Sequence, residues 1–442
     1  MRCTITSDLR CCLSEEGFSL DELIFELKKL YEDKGFPGFL ELILKFVQER
    51  LIVESVIDKK GNWGCCDNPS YSLNGGYNRK LKTSLGSLSM RWLRVKCSNC
   101  GKTLVPLKEF IGVRKHQYKS DELEKLIIES VAGNSYRRAV ETVNAIGFVS
   151  VPHTTAHRWV LETDCDTIDC TDKLDRIEKR NEVSATSPHP KSNGIQILPD
   201  GTKFKGQPLG GKAKKGDLKV VIGVDVSGDV FPIGAWTSED WKGVRESLKE
   251  QKIKLPDGSI LLADGEPGLA EAFIDMVDEE QRCHWHITQD LYHAMWQDGS
   301  NAKEVKPIQS ALAGVLQIEL PEQDFEKVAE AEKDEIEERM ESAENVMKKL
   351  IGYFESKGYD TAANYLRRSM RGMFGYVRRW LKLGVACPRA SSMVERVMRE
   401  LGRRIKKLAY NWSDHGAVKV ARIILKKFTD IDDWDNYWKK KK

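Results

Sequence analysis

Hydrophobic positions recur at helical spacing near the front of the chain, at strand spacing in two later blocks, and at helical spacing again toward the end. Ser19 with Glu22 three residues on forms a capping box, and Leu20, Leu23, Ile24 and Leu27 follow on one helical face. A second helix is predicted over Phe39 to Leu51, after the break Gly35-Phe36-Pro37-Gly38. Trp63 to Phe110 reads as short strands, and Ser120 to Glu162 as three helices with breaks near Asn134 and at Gly147. Thr171 to Asn193, mixed in charge and ending in Ser187-Pro188-His189-Pro190, reads as a linker.

A new pattern begins after Gly194. Ile195 to Lys205 is a strand, Lys219 to Gly228 and Val230 to Trp236 form a hairpin turned at Ser227-Gly228-Asp229, and Glu239 to Gln251 is a helix. Ile260 to Asp264 is the next strand, and Gly265 lets the backbone turn so that the Asp264 carboxylate stands at a strand tip. Leu269, Phe273 and Val277 mark a helix opened by Pro267, and Gln281 to His286 is read as the fifth strand. Three strands, helix, strand, helix, strand, helix is the order of an RNase H-like fold, in which the first strand and the strand after the first helix set two aspartates side by side. Asp200 and Asp264 occupy those places. Asp225 also ends an apolar strand run; Asp200 is preferred because only then does a full hairpin lie between the first carboxylate and the helix. Helices are expected over Ala311 to Ile318, Phe325 to Lys357, Thr361 to Leu383 and Ser391 to Leu408, where Glu395 and Arg399 are spaced for an i,i+4 ion pair.

At 442 residues the chain is too long for one ordinary core. Its net charge of +3 decides little, because the charge is segregated. Tyr77 to Lys119 holds eleven Lys/Arg against Glu109 alone, and Arg367 to Lys407 holds thirteen against Glu395 and Glu400. Two basic blocks around an acidic stretch, Glu319 to Glu344, suit a polyanion gripped at two places. Neither a signal peptide nor an apolar run of membrane-spanning length is present, so the expected setting is cytoplasmic and nucleoid-associated, with no membrane partner.

The eleven cysteines then read as reduced thiols or metal ligands. Cys97-Ser-Asn-Cys100-Gly101 has the spacing of a zinc knuckle, while its partners are the adjacent Cys65 and Cys66, which cannot form the same knuckle. The three helices that follow suit a helix-turn-helix, whose last helix presents Thr154, Thr155, His157 and Arg158 to a major groove. Gly206 to Lys212 has phosphate-loop spacing, but Ala213 stands where a hydroxyl must meet Mg²⁺ and a strand follows where a helix is required.

Several motifs in order carry a resemblance: Asp200-Gly-Thr, Gly223-Val-Asp-Val-Ser-Gly228, Glu239 with Trp241, Asp264-Gly-x-x-Gly-Leu269, Gln281-Arg-Cys-x-x-His286, and Ser392-Met-Val-Glu395-Arg-x-x-Arg-Glu-Leu-x-Arg-Arg. From Ile195 to about Leu408 the chain resembles a DDE transposase of the Mutator-like superfamily, in its prokaryotic insertion-sequence branch. The resemblance implies an α/β fold: an RNase H-like core (195–296 and 387–442) interrupted by an all-helical insertion (297–386). A helical unit (1–58), a zinc-ribbon-like basic module (59–118), a helix-turn-helix (119–165) and a linker (166–194) would precede it. It implies a catalytic triad of Asp200, Asp264 and Glu395 holding two Mg²⁺ or Mn²⁺ ions, which cleave DNA and transfer 3′ ends at the termini of the element. Cys283 and His286 then either buttress the metal site from the fifth strand or let His286 contact the scissile phosphate. Cys65, Cys66, Cys97 and Cys100 would hold one structural Zn²⁺. Double-stranded DNA would meet Arg91, Arg94, Lys96, Arg378, Arg379, Arg396, Arg399 and Arg403 as well as the helix-turn-helix, with the protein acting as a homodimer. Trp380 is a candidate to stack on an unpaired base. Two alternatives share the frame: a DNA-binding regulator derived from a transposase, and a structure-specific nuclease that does not join strands.

Overall fold

The computed structural model describes residues 24, 35–147, 149–184, 194–209, 212–408 and 411–440. The capping box expected at Ser19 and Glu22 lies outside the described residues. Helices and strands mix throughout, and the strands form one antiparallel and one mixed sheet. The chain divides into two compact units, 1–159 with 437–442, and 160–436.

In the first unit, helix α1 (Phe36–Ile52) starts with Pro37 in its first turn, where a missing N–H costs nothing. A hairpin of β1 (Tyr71–Thr83) and β2 (Gly86–Cys97) is extended by β3 (Thr103–Leu104) into a three-stranded antiparallel sheet, followed by α2 (Pro106–Phe110). Strand β2 alternates strictly at first: Leu88, Met90 and Trp92 are buried while Ser87, Ser89 and Arg91 face out. The buried row packs with Leu51, Leu81 and Leu107. Three helices follow, α3 (Asp121–Gly133), α4 (Tyr136–Ile146) and α5 (His153–Glu162), within the stretches that sequence spacing predicts. Ser120 and Ser135 cap the first two by accepting from the Leu123 and Arg138 amides. Trp159 is fully buried, with its indole N–H donating to the Tyr118 hydroxyl at 2.9 Å.

The second unit corrects the expected linker. Residues 171–184 form a helix, α6 (Thr171–Ser184), which buries Leu174 and Ile177 in the core of the large sheet. Strands β4 (Gln196–Leu209), β5 (Lys212–Val224), β6 (Val230–Thr237), β7 (Ile260–Ala263) and β8 (Glu279–Arg282) form a five-stranded mixed sheet of order β6-β5-β4-β7-β8. The β6-β5-β4 part is antiparallel, and β7 and β8 run parallel to β4. Helix α7 (Trp241–Glu250) and the short α8 (Leu269–Phe273) cover one face, burying Trp241, Val244, Leu269 and Phe273 with Ile197, Val221 and Leu261. Between Gly268, whose φ is +81°, and Ile274, α8 keeps only five residues of the longer helix read from the sequence.

After β8 comes α9 (His284–Gln297), then α10 (Ala302–Leu316), α11 (Glu330–Lys357), α12 (Asp360–Ser369) and α13 (Gly375–Leu383). They share a core that includes Leu291, Met347, Phe354, Leu366 and Phe374. The run expected to be one helix from Thr361 to Leu383 is broken between α12 and α13 because Gly372 and Gly375 lie against β8. A Cβ on Gly375 would collide with the Glu280 carbonyl. Helices α14 (Ser392–Ile405) and α15 (Asp414–Thr429) return to β4 and β6, and α16 (Ile431–Lys440) ends the described chain. Among the described residues no helix is long and apolar enough to cross a membrane.

Candidate active site and metal centre

Alternation along β4 and β7 decides where the two aspartates point. Ile197 and Leu261, paired across the parallel strands, both enter the core under α7 and α8. Asp200 and Asp264 each lie three residues further on, so both side chains leave the opposite face, in matching positions. Asp264 follows the last residue of β7, and its Oδ1 accepts from the Glu266 amide at 2.9 Å, which sets the tight turn. Helix α14 lies against β4, and Glu395 is exposed in its first turn.

The Asp200 carboxyl responds to its surroundings. Burial pushes the Asp200 carboxyl up, and the Asp264 charge pushes it further; with a smaller contribution from Glu395, it reaches about 7 despite the Gly201 amide and nearby His286. No ion pair joins Glu395 to Arg399 among the described residues, although the helical spacing allows one; Glu395 Oε1 instead lies 3.5 Å from the Ser391 hydroxyl.

His286 is not on a strand. Strand β8 stops at Arg282, Cys283 sits at the N-cap, and His286 lies in the first turn of α9. Cys283 is nonetheless tied to the sheet tip, its amide donating to the Ala263 carbonyl at 2.8 Å. Its buried sulfur accepts from Ser391 Oγ at 3.4 Å, so β8 and α14 meet there. Burial alone would raise the Cys283 thiol, but His286 and Ser391 outweigh it and bring the thiol to about 7. The imidazole of His286 is raised first by the Cys283 sulfur, with the Asp264 and Asp290 charges adding to it. Its Nδ1 is buried without a hydrogen-bond partner of normal geometry. Ser391, 4% exposed, is a site residue that sequence reading missed; it counted only as a helix cap.

Asp225 has a different task. Its Oδ1 accepts from the Ser227 and Asp229 amides at 2.9 and 3.0 Å, so the carboxylate closes the turn between β5 and β6. Val220 is the partner of Asp200, which places Asp225 roughly 17 Å away along the strand.

A second missed residue is Lys219. It is 4% exposed, lies opposite Gly201 on β5, and reaches Glu266 Oε1 at 3.3 Å and Asp217 at 3.2 Å over the Trp241 ring. A lysine opening the apolar run Val220 to Val224 is the only sequence signal for it.

The basic residues divide. Arg91, Lys96, Thr154, His157 and Arg158 are exposed in the first unit, and Arg94 and Thr155 are half-buried. Arg396, Arg399 and Arg403 form an exposed stripe on α14, with Arg403 pairing Glu400 at 2.7 Å. Arg379 and Trp380 do not fit their expected roles. Arg379 is 1% exposed and donates to the Gly194 carbonyl, while Trp380 is 3% exposed with its ring against Phe325. Both lie on the inward face of α13, so neither is free to meet DNA. Arg378 is held by Glu279 and Glu344.

In the first unit, Cys65, Cys66, Cys97 and Cys100 converge, with their sulfurs all within 4.8 Å of one another. Among the described residues this is the one group of three or more such ligand atoms gathered so closely, and it can hold a metal ion; the carboxylates of the second unit are more widely spaced. Cys66 Sγ lies 3.8 Å from both Cys65 Sγ and Cys97 Sγ. Tetrahedral ligands at ~2.3 Å from an ion lie about 3.8 Å apart, so these spacings match zinc–thiolate geometry. The adjacent cysteines take part without a knuckle of their own, from a loop in which Gly64 has a φ of +65°. Across from them Gly101, at φ +73°, donates to the Cys97 carbonyl. The Cys100 backbone holds the Cys97 thiol down at about 6, while burial pushes Cys66 up to about 12. Tyr71 OH stands 3.1 Å from Cys65 Sγ as an outer support.

No protein-family model matches the chain, and no curated protein matches it in sequence.

Proposed function

We propose that the protein is a metal-dependent DNA strand transferase of the DDE transposase type, built on an RNase H-like core with a helical insertion. The observation that carries the reading is the placing of Asp200 and Asp264 at matching positions of the adjacent parallel strands β4 and β7, with the Glu395 helix packed on β4. The Asp200 carboxyl, pushed up to about 7 first by burial and then by the Asp264 charge with a small contribution from Glu395, agrees with it. A hard-oxygen donor set of this kind suits Mg²⁺ or Mn²⁺, and a divalent cation would relieve the repulsion within it. Asp200, Asp264 and Glu395 would hold two such ions, whose chemistry would be to activate a water or 3′-hydroxyl and to stabilise the leaving oxygen at phosphorus.

The chain's own residues do the remaining work. Ser391 and Cys283 hold the start of α14 at the tip of the sheet, which sets the Glu395 carboxylate. His286, in the first turn of α9 with its imidazole raised first by the Cys283 sulfur and then by the Asp264 charge, would donate to a phosphate oxygen. The exposed stripe Arg396, Arg399 and Arg403 follows Glu395 along the same helix and suits a DNA backbone entering the site. In the first unit, Thr154, His157 and Arg158 on α5 would read a major groove, and the four cysteines would hold a structural Zn²⁺. A dimer on two DNA ends belongs to the same reading.

The test is cleavage and joining of duplex DNA that carries the inverted repeats flanking the gene. The expected result is Mg²⁺- or Mn²⁺-dependent nicking and strand joining, lost in Asp264→Asn. Binding without metal-dependent cleavage in the unaltered protein would leave a regulator instead. Cleavage without joining would leave a nuclease.

A further inference from the structure

Behind Asp200 and Asp264, on the face of the sheet covered by α7, the side chain of Glu266 crosses β4 at Gly201 and ends on Lys219 of β5. We propose that Lys219 is a positioning residue for the metal site: through its ion pair with Glu266 it fixes the separation of Asp200 from Asp264, and with it the fit of the site for Mg²⁺. This inference rests on the strand-transferase reading and adds to it the residue that sets the spacing of the first two acids.

The sheet itself creates the need for such a tie. Among the described residues, β4 and β7 pair only through Gln196 with Ile260 and Ile197 with Leu261. Asp200 and Asp264 stand three residues beyond the last of these pairs, so no backbone ladder joins them. Asp200 is carried by β5, which pairs with β4 on its other side, and Asp264 follows a strand whose end is held by β8. The distance between the acids is therefore left to side chains. Lys219 lies opposite Gly201, next to Asp200, and its Nζ is 3.3 Å from Glu266 Oε1.

Each end of the tie reaches a carboxylate through one amide. The Glu266 amide donates to Asp264 Oδ1 at 2.9 Å, and the Gly201 amide donates to the Asp200 carboxyl. Glycine at 201 leaves the path open, since a Cβ there would stand 3.3 Å from Glu266 Oε2. Lys219 is 4% exposed and its ammonium lies 4.5 Å from the centre of the Trp241 ring, so water screens the pair less than it would a surface one. Taking a lysine out of water at the head of an apolar strand costs free energy that packing does not call for. Its other partner, Asp217, sits two residues away on the same strand and bridges nothing. Mg²⁺ demands near-ideal octahedral geometry, so a site whose acids can drift apart binds it less well.

The experiment is a double-mutant cycle of Lys219→Met and Glu266→Gln in the full chain, with Asp217→Asn as control. Mn²⁺ binding is followed by electron paramagnetic resonance, single-turnover cleavage is measured over a range of Mg²⁺, and every variant is melted. Glu266 is half-buried and glutamine keeps its volume, so this variant reads the pair even where Lys219→Met loses the fold. Each single variant is expected to weaken Mn²⁺ binding about tenfold and to raise by a similar factor the Mg²⁺ needed for half-maximal cleavage. The double variant is expected to go no further, and Asp217→Asn to change neither. Lower melting temperatures with an unmoved metal response overturn the inference, and so does a loss in Asp217→Asn equal to that in Glu266→Gln. The two readings fail separately. If the unaltered chain cuts DNA and the variants match its metal response, strand transfer stands and the tie falls. If the unaltered chain binds Mn²⁺, the variants weaken that binding and no DNA is cut, the tie stands and strand transfer falls. A chain that binds no divalent cation loses both.

Discussion

Ser391 donates to the Cys283 sulfur at 3.4 Å although 108 residues separate them in sequence, and the same hydroxyl lies 3.5 Å from Glu395 Oε1. One buried hydroxyl thus links the end of β8 to the carboxylate of α14. Replacing it by alanine leaves the apolar packing of α14 intact and releases Glu395 from its support. Ser391→Ala is expected to lower metal-dependent cleavage about tenfold while unfolding within ~1–2 kcal/mol of the unaltered protein, the usual cost of one hydrogen bond. Single-turnover cleavage and thermal melting measured together check it. Loss of fold without a specific loss of rate would show that the bond is merely structural.

The choice between two aspartates has an opposite pair of outcomes. Asp200→Asn is expected to abolish cleavage and keep DNA binding. Asp225→Asn retains an oxygen able to accept from the Ser227 and Asp229 amides, so it is expected to cleave normally and to lose at most ~1 kcal/mol of stability. Cleavage and gel-shift assays on the two variants decide it; equal loss of cleavage would reject the assignment.

The raised Asp200 carboxyl predicts a pH dependence of stability in the metal-free protein. A carboxyl near 4 when unfolded and about 7 when folded binds more protons in the folded state between those values. Unfolding free energy therefore falls as pH rises from about 4 to about 7, and this contribution is complete only below the unfolded value. Melting scans over that range should show the decline in the unaltered chain and a smaller one in Asp200→Asn. Added Mg²⁺ competes with the proton, so its stabilising effect is expected to grow over the same range.

The cysteine cluster predicts one zinc ion per chain. Metal analysis of the purified protein should find it, and Cys97→Ser or a strong chelator should remove it. Melting of the first unit should then occur at lower temperature, because a structural zinc contributes folding energy directly. A full complement of zinc in Cys97→Ser would place the ion elsewhere.

Gly265 lies at φ +98°, with the Arg282 guanidinium where a side chain would go. Gly265→Ala is expected to cost about 1–3 kcal/mol, from the backbone conformation and the displaced arginine together. Chemical denaturation measures it.

The order of strands and helices in the second unit is legible in the sequence because apolar alternation and glycine-bearing turns mark each element separately. The positions of Asp200 and Asp264 follow from that alternation. Other features depend on what packs against what. Helix α6 carries only a thin apolar stripe around Leu174 and Ile177, so a polar composition hides it. The alternating Gln281-Arg-Cys-His-Trp-His286 resembles a strand to its end, yet the chain turns helical at His284 once the Cys283 amide has used the last sheet carbonyl. Trp380 and Arg379 look like surface residues beside Arg378, and only the partners of α13 show which side is inward. The adjacent Cys65 and Cys66 fit no knuckle spacing, and the loop that brings both sulfurs to Cys97 has no signature beyond Gly64.

The position of Glu395 on α14, after the whole helical block, has a consequence for biosynthesis. On the proposed reading, a growing polypeptide presents Asp200 and Asp264 long before the third ligand has left the ribosome. On that reading, any chain that stops before α14 lacks the third ligand and is unable to cut the host chromosome.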